Sequence, residues 1–385
     1  MYDRNFRAEK HSSFFIFGPR GTGKTSWLKF QFPKAPYFDL LDSEVIFDLQ
    51  GSSLNLEKRL AKNYHGPVVI DEVQKLPQIL NEVHRLIESK KGLQFILTGS
   101  SARKFRRAGV NLLAGRALVK NFYPLTTSEL GEDFSLPRAL KYGLLPSVWD
   151  CDQSGGANDK PTSYLKSYVQ TYVDLEVKLE GLSRNVVEFS RFLSAASFSQ
   201  ASPLNISTIA AECGIERRTV SNYFDITRDL LISYELPVFT KKAKREMIKH
   251  QKFYFFDVGV YQVLRPKGPL DSESEINGAA FETLILQELM ATNNYLDLDY
   301  QISYWHTKQH QEVDFVLYGR RGLYAIETKL THKFRASDLA GLELFASDYP
   351  TAKLFFVYGG DRHFHHQNIE VIPVEQFLKQ LPTLI

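Results

Sequence analysis

Cysteine is scarce in this 385-residue chain: Cys151 and Cys213 stand far apart and supply neither a disulfide framework nor a paired metal-ligand spacing. A reducing, cytoplasmic setting is therefore the expectation. Long apolar runs are missing too. No stretch approaches the roughly 18 apolar residues of a membrane span, so no membrane partner is expected. The opening MYDRNFRAEK lacks the apolar centre of a signal peptide. Charge of one sign is also in short supply, with a net +3, so affinity for nucleic acid would have to come from local clusters. Internal repeats and low-complexity tracts are absent. The chain does have 43% hydrophobic and 13% aromatic residues over a length that exceeds one ordinary core, so two or three domains are expected.

The first third alternates apolar, strand-like runs with segments that can be helical. FFIF (14–17), YFDLLD (37–42), PVVIDEV (67–73) and QFILTGS (94–100) are such runs, and the alternation implies an α/β domain with a parallel sheet covered on both faces. CDQSGGANDK (151–160) reads as a linker, which gives a first domain of 1–150. Residues 161–265 read as helical, with ISTIAAECGIERRTVSNYF forming helix, Gly turn, helix, and then a hairpin with a basic loop. A third domain, 275–385, holds a long helix followed by the strands ISYWHT, EVDFVLY and LYAIETKL.

Gly18-Pro19-Arg20-Gly21-Thr22-Gly23-Lys24-Thr25 has the Walker A spacing, and it sits between a strand and a helix, as the motif requires. Glycines let successive backbone N–H groups curl around one anion, and the helix N-terminus adds a favourable dipole. Lys24 would reach the β and γ phosphates of ATP, and Thr25 would hold Mg²⁺. VVIDE ends its strand in two adjacent carboxylates, the Walker B arrangement. Asp71 would join the Mg²⁺ shell, and Glu72 would orient or deprotonate the attacking water. Thr98 and Ser100, at the end of FILTGSS, are placed to sense the γ-phosphate. Arg116 in LAGRA, with Arg103 behind it, is the candidate for an inserted arginine, against the plainer reading of a solvated or structural one.

GPRGTGKT, VVIDEVQKLP, FILTGSSARK and LLAGRA, in this order, resemble the archaeal and bacterial AAA+ family ATPases of the additional-strand (ASCE) class. The resemblance runs over almost the whole chain. It implies a five-stranded ATPase sheet in which the strand ending in Thr98 lies between those bearing Walker A and Walker B. It also implies a winged-helix segment, a C-terminal nuclease-like domain and assembly into a ring or homo-oligomer, with Arg116 serving a neighbour's site.

In the middle segment Glu216, Arg217, Arg218, Thr219, Ser221 and Asn222 form the expected outer face of the second helix, while Val220, Phe224 and Ile226 face inward. KKAKREMIKHQK (241–252) carries six Lys or Arg against one Glu and is expected to make a phosphate-contacting wing, or else a solvated basic loop. In EVDFVLYGRRGLYAIETK, Asp314 lies on one strand and Glu327 and Lys329 on its hairpin partner, so period-two alternation brings the three onto one face. Two carboxylates there could hold Mg²⁺, or Mn²⁺ instead, while the lysine activates water. This resembles the PD-(D/E)xK (restriction-endonuclease-like) core, in which the preceding helix contributes a further acid. Glu282 occupies that place, and Glu288 and Glu312 match it less well. Glu176-Val177-Lys178 is expected to be a helical decoy. The His363–His366 run is expected in a surface loop, and at least one of Tyr304 and Trp305 in a core. The leading expectation is an Mg²⁺-dependent ATPase coupled to a metal-dependent nuclease acting on DNA. Its rivals are an ATP-driven DNA- or protein-binding switch with a silent nuclease-like domain, and a nucleotide-assembled scaffold.

Overall fold

The apolar runs of the first third become neighbouring strands because residues such as Phe14, Phe15, Ile16, Val68, Val69 and Ile70 are wholly buried and need cover on both faces. The computed structural model describes residues 2–50, 55–89, 92–99, 113, 115–151, 159–179 and 186–385; the side chains of 172–179 are not described. Two compact units result. One holds Asp3–Pro124 with Asp229–Leu231; the other holds Tyr2, Leu125–Arg228 and Ile232–Ile385.

In the first unit β1 (Ser13–Phe17), β2 (Tyr37–Asp39), β3 (Gly66–Asp71), β4 (Leu93–Gly99) and β5 (Ala117–Asn121) form one parallel sheet in the order β2-β3-β4-β1-β5. The strand ending beside Thr98 therefore lies between the Walker A and Walker B strands, as the resemblance implies. Helices α1 (Lys24–Gln31), α2 (Ser43–Gln50), α3 (Asn55–Arg59) and α4 (Ile79–Glu88) flank the sheet, with a 3-10 turn at Val73–Lys75 after β3. Val83, Leu86 and Leu80 of α4 enter a core with Phe15, Ile70 and Leu97 from three strands.

The second unit begins with short helices α5 (Thr127–Leu130), α6 (Leu136–Tyr142) and α7 (Pro146–Trp149) and the long α8 (Lys160–Leu179). The Glu176-Val177-Lys178 decoy is indeed helical. Next come α9 (Val186–Ser197), β6 (Ser202–Pro203), α10 (Ile206–Cys213), α11 (Arg217–Asp229), β7 (Ser233–Leu236) and β8 (Lys252–Phe255), with a small antiparallel sheet in the order β6-β8-β7. Gly214 takes the left-handed conformation that ends α10, so the expected Gly turn stands.

Helices α12 (Val258–Leu264) and α13 (Glu273–Tyr295) lead into a six-stranded sheet. Its strands are β9 (Gln301–His306), β10 (Glu312–Gly319), β11 (Gly322–Lys329), β12 (Lys353–Tyr358), β13 (Phe364–His366) and β14 (Ile369–Pro373), in the order β13-β14-β12-β11-β10-β9. Helices α14 (Ala340–Asp348) and α15 (Val374–Leu384) complete it.

One expectation changes here. The histidine run is not a loop, because Phe364, His365 and His366 pair with β14 as a short edge strand, and His363 contacts Glu370 at 2.9 Å. Tyr304 and Trp305 are both buried, which meets the expectation that at least one of them lies in a core.

Candidate functional sites

The glycine loop of the first unit is fixed by its neighbours. A side chain at Gly18 would collide with the carbonyl of Phe122, because β5 leaves the sheet through a Phe122 N–H bond to the Phe17 carbonyl at 2.7 Å. Gly21 and Gly23 have φ of 73° and 95°, conformations that favour glycine and that turn the loop into α1. Thr22 is buried and donates to the Pro19 carbonyl at 2.9 Å. Arg4 braces the loop from outside, donating to the Thr22 carbonyl at 2.6 Å and the Tyr123 carbonyl at 2.7 Å. Arg20 is half-buried on the loop. Lys24 is buried and folds back, its Nζ donating to the carbonyls of Gly18 at 2.6 Å and Pro19 at 2.9 Å.

Asp71, at the end of β3, accepts from three hydroxyls: Thr25 at 2.8 Å, Tyr37, and Thr98 from the adjacent β4. The Tyr37 phenol is pushed well up by burial and then by its bond to Asp71. Glu72 adopts a left-handed conformation, φ 58°, its N–H donates to Thr98 Oγ1 at 3.0 Å, and its carboxylate accepts from Gln74. Walker A, Asp71, Glu72 and Thr98 thus meet at the carboxyl end of the central strands, where ligands bind in open parallel sheets. Ser100 and Arg103 lie outside the described residues. Arg116 precedes β5 and pairs with Glu88. Since Ser13 pairs with Ala117 and Phe17 with Asn121, Arg116 stands six residues, about 20 Å at 3.3 Å per residue, from the start of its own glycine loop.

The acids of the second unit also converge, but around a lysine expected in the basic wing. Lys252, on β8, is 2% exposed, and its Nζ lies 2.5 Å from Glu282 Oε1, 2.6 Å from Glu312 Oε1 and 3.1 Å from Asp314 Oδ1. Tyr254, two residues along the same strand, donates to Glu282. Strand β10 carries a β-bulge: Val313 pairs with Trp305 and Val316 with Ser303, so β10 has one residue more than β9 in between. This puts Val313 and Val316 into the same apolar cluster, which strict alternation would forbid, and Asp314 lies within the irregular step. Asp314 Oδ2 also accepts from the Thr328 N–H at 2.9 Å and the Thr328 hydroxyl at 2.8 Å.

Burial opposes the charge on Lys252, but the attraction of Glu282, Asp314 and Glu312 outweighs it and holds the ammonium well above its ordinary range. Burial, then repulsion from Asp314, raises Glu282 to about 8. The same two causes in the same order raise Glu327 well above the carboxylate range. Its Oε2 is buried with no hydrogen-bond partner among the described residues. His306, 3.5 Å from Glu312, is pushed down, chiefly by burial.

Glu282, Asp314 and Glu327 are therefore brought together, and Lys329 is not. Its side chain is half exposed and its Nζ bonds Asp338 at 2.6 Å, which corrects the expectation that it faces the acids. Glu312 joins the cluster although it is the poorer match to the motif. Glu288 does not: it accepts from the Thr127 N–H at 2.6 Å and the Thr127 hydroxyl at 2.7 Å, capping α5. Among the described residues no group of three or more His, Cys, Asp or Glu stands in a metal-holding arrangement. The acids as placed therefore fit an ammonium and do not fit Mg²⁺ or Mn²⁺.

The basic stretch 241–252 is not a free wing either. Val238 and Met247 bridge to Tyr304 and Thr307 beside β9, and Arg245 grips Asp348 at 2.8 and 3.2 Å. Lys242, Lys244 and Lys249 stay exposed. On α11 and just before it, Glu216, Arg217, Arg218, Ser221 and Asn222 are exposed and Thr219 half-buried, while Val220, Phe224 and Ile226 are buried, as expected. A lysine followed at the second position by tyrosine, inside the otherwise apolar strand KFYFF, is the one sequence sign that Lys252 points into a core.

Residues 10–131 match the AAA domain family. Residues 133–271 and 277–377 match two families each described as a domain of unknown function, DUF8612 and DUF4143. No curated protein matches the chain. Among solved structures, the crystal structure of protein VC1899 from Vibrio cholerae is similar over 97% of this chain and 96% of its own, at 11% identity and a TM-score of 0.24, a likeness too weak to build on. The AAA match, together with the parallel sheet and glycine loop, supports an AAA-type, nucleotide-binding ATPase in the first unit. Among the described residues no helix is long and apolar enough to cross a membrane.

Proposed function

We propose that this chain is an ATP-hydrolysing switch whose second unit engages nucleic acid, DNA first, through a nuclease-like fold that is catalytically silent. The observation that carries the ATPase half is the Asp71 carboxylate gathered by Thr25 and Thr98 beside the glycine loop. In this reading the N–H groups of Gly21 to Thr25 bind the phosphates of ATP. Lys24 exchanges the Gly18 and Pro19 carbonyls for β and γ oxygens. Glu72 leaves Gln74 to take a proton from the attacking water, and Thr98 positions that water. The hydroxyl of Thr25 and the carboxylate of Asp71 are adjacent hard-oxygen donors that fit Mg²⁺, which when bound would neutralise charge on the transferring phosphoryl group. Arg116 is too far along β5 to serve its own site, so its use as a finger requires a second copy of the chain.

The second unit supports the nucleic-acid half. The order helix, strand, helix, helix, strand, strand over 186–255, with a β6-β8-β7 sheet, is the order expected of a winged helix, and α11 presents Arg217, Arg218, Ser221 and Asn222 outward. Reading the C-terminal domain as silent rather than active rests on Lys329, whose half-exposed side chain is bound to Asp338.

Steady-state ATP turnover tests the first half: Lys24→Ala should reduce it about 10²–10³-fold, the usual loss for one well-placed electrostatic donor. Unchanged turnover in a folded variant sinks the proposal. DNA affinity should fall steeply between about 50 and 200 mM salt, and Arg217→Ala with Arg218→Ala should flatten that slope. No cleavage of DNA by the unaltered chain in Mg²⁺ or Mn²⁺ is expected.

A further inference from the structure

Lys252 belongs to a different element from the acids that surround it. It arrives on β8, at the end of the segment 237–251 that is stitched to β9, whereas Glu282 is on α13 and Glu312 and Asp314 are on β10. An ammonium has three N–H donors and no acceptor, and here it has three carboxylate oxygens at 2.5, 2.6 and 3.1 Å. Those spacings are hydrogen-bond spacings. Oxygen ligands of Mg²⁺ stand at about 2.0–2.1 Å and must close in on the ion together. Next to them, the buried Glu327 Oε2 has no partner among the described residues, an oxygen that the ammonium does not satisfy. The cluster therefore has more carboxylate than one positive charge answers.

We propose that Lys252 stands in for a divalent cation: its ammonium fills the centre of a hard-oxygen site made by Glu282, Asp314, Glu312 and Glu327, and that site takes Mg²⁺ or Mn²⁺ only when the ammonium is gone. This rests on the silent reading of the C-terminal domain and explains it, because a site occupied by a covalently attached cation has no room for a free one. It also makes Lys252 a tie between the β6-β8-β7 sheet and the acids of α13 and β10.

The test is Mn²⁺ binding by the full chain without nucleotide, followed by electron paramagnetic resonance and by thermal unfolding. Asp71→Asn is present throughout to silence the first site. With Lys252 intact, no Mn²⁺ signal that depends on Asp314 is expected. Lys252→Met, which keeps the apolar stem, should bind one Mn²⁺ at least about tenfold more tightly, gain several degrees of Tm in Mn²⁺, and lose both on adding Asp314→Asn. Should Lys252→Met fold only in Mn²⁺, that is the expected coupling of metal to folding. If it folds in neither condition, Lys252→Met with Glu282→Gln, which removes the ammonium together with one of its acids, is read in the same way. A folded variant that binds no Mn²⁺, or Asp314-dependent binding with Lys252 in place, overturns the proposal. The two readings separate cleanly: Asp314-dependent DNA cutting by the unaltered chain defeats the silent reading, whereas a silent chain whose folded Lys252 variant takes no metal defeats this inference alone.

Discussion

In the first unit Asp71 faces hydroxyls; in the second, Asp314 faces an ammonium. Both carboxylates end or interrupt a strand, and both have a lysine nearby in the folded chain. Yet Lys24 is turned onto the carbonyls of Gly18 and Pro19, leaving Asp71 to Thr25, Tyr37 and Thr98. Hydroxyls can rotate and share an oxygen with an incoming ion, so the first arrangement stays open to a cation and its phosphates. Lys252 cannot share in this way. It is one of the largest fully buried side chains, and it uses its charge on the acids themselves. The same residue types thus give a site that can be filled and one that is already filled.

The sharpest way to break this comparison is to neutralise each aspartate in turn. Asp71→Asn should cut ATP turnover roughly 10–100-fold, the usual cost of a disturbed metal-shell ligand, while Asp314→Asn should leave turnover unchanged. Equal effects of both on turnover would mean that the second cluster takes part in ATP chemistry, and the contrast would be lost.

The two lysines of the second unit sharpen the comparison next. Lys252→Ala leaves carboxylates buried without their counter-charge and should destabilise the unit by about 3–5 kcal/mol in metal-free buffer. Lys329→Ala removes a half-exposed surface pair with Asp338 and should cost less than about 1 kcal/mol. Urea unfolding with chelator present measures both. A larger loss for Lys329 would restore it as the functional lysine of the domain.

These contrasts also mark where the sequence is legible. The Walker A loop, Asp71, Glu72 and Thr98 can be placed because each lies at the end of an apolar run, and a parallel sheet brings such ends together on one edge. The inward residues of α11 come from their spacing for the same local reason. Lys252 cannot be placed, since its partners Glu312 and Asp314 are 60 and 62 residues away and its neighbours on the N-terminal side are largely basic. The bulge between Val313 and Val316 inserts one residue without any glycine or proline to announce it, so strict alternation misassigns the faces beyond it. Lys329 escapes for a related reason. Alternation fixes which side of a strand a residue leaves from, but a four-carbon side chain at a strand end goes to the nearest acid, here Asp338 at 2.6 Å.

A smaller effect isolates what the ammonium does. Glu288 lies on α13 with Glu282 and is buried, but it has hydrogen bonds from Thr127 in place of a lysine. Burial, only partly offset by those bonds, raises it from 4.5 to about 7. Between these values the folded chain holds a proton that the unfolded chain has released, so stability falls as pH rises from about 4.5 to about 7 and the loss is complete above that. At about 1.4 kcal/mol for each unit, the loss is on the order of 3 kcal/mol. Glu288→Gln keeps an oxygen that accepts from Thr127 and carries no titrating proton, so its contribution should not change with pH. Unfolding free energies of the two chains at pH 5 and pH 8 should therefore diverge, with the variant ahead at pH 8. Glu282, raised to about 8, and Asp257, raised by burial to about 6, titrate in both chains and cancel in the difference. Parallel pH profiles would show that Glu288 is not held protonated by its surroundings, and that a buried carboxyl on this helix does not need the ammonium that Glu282 has.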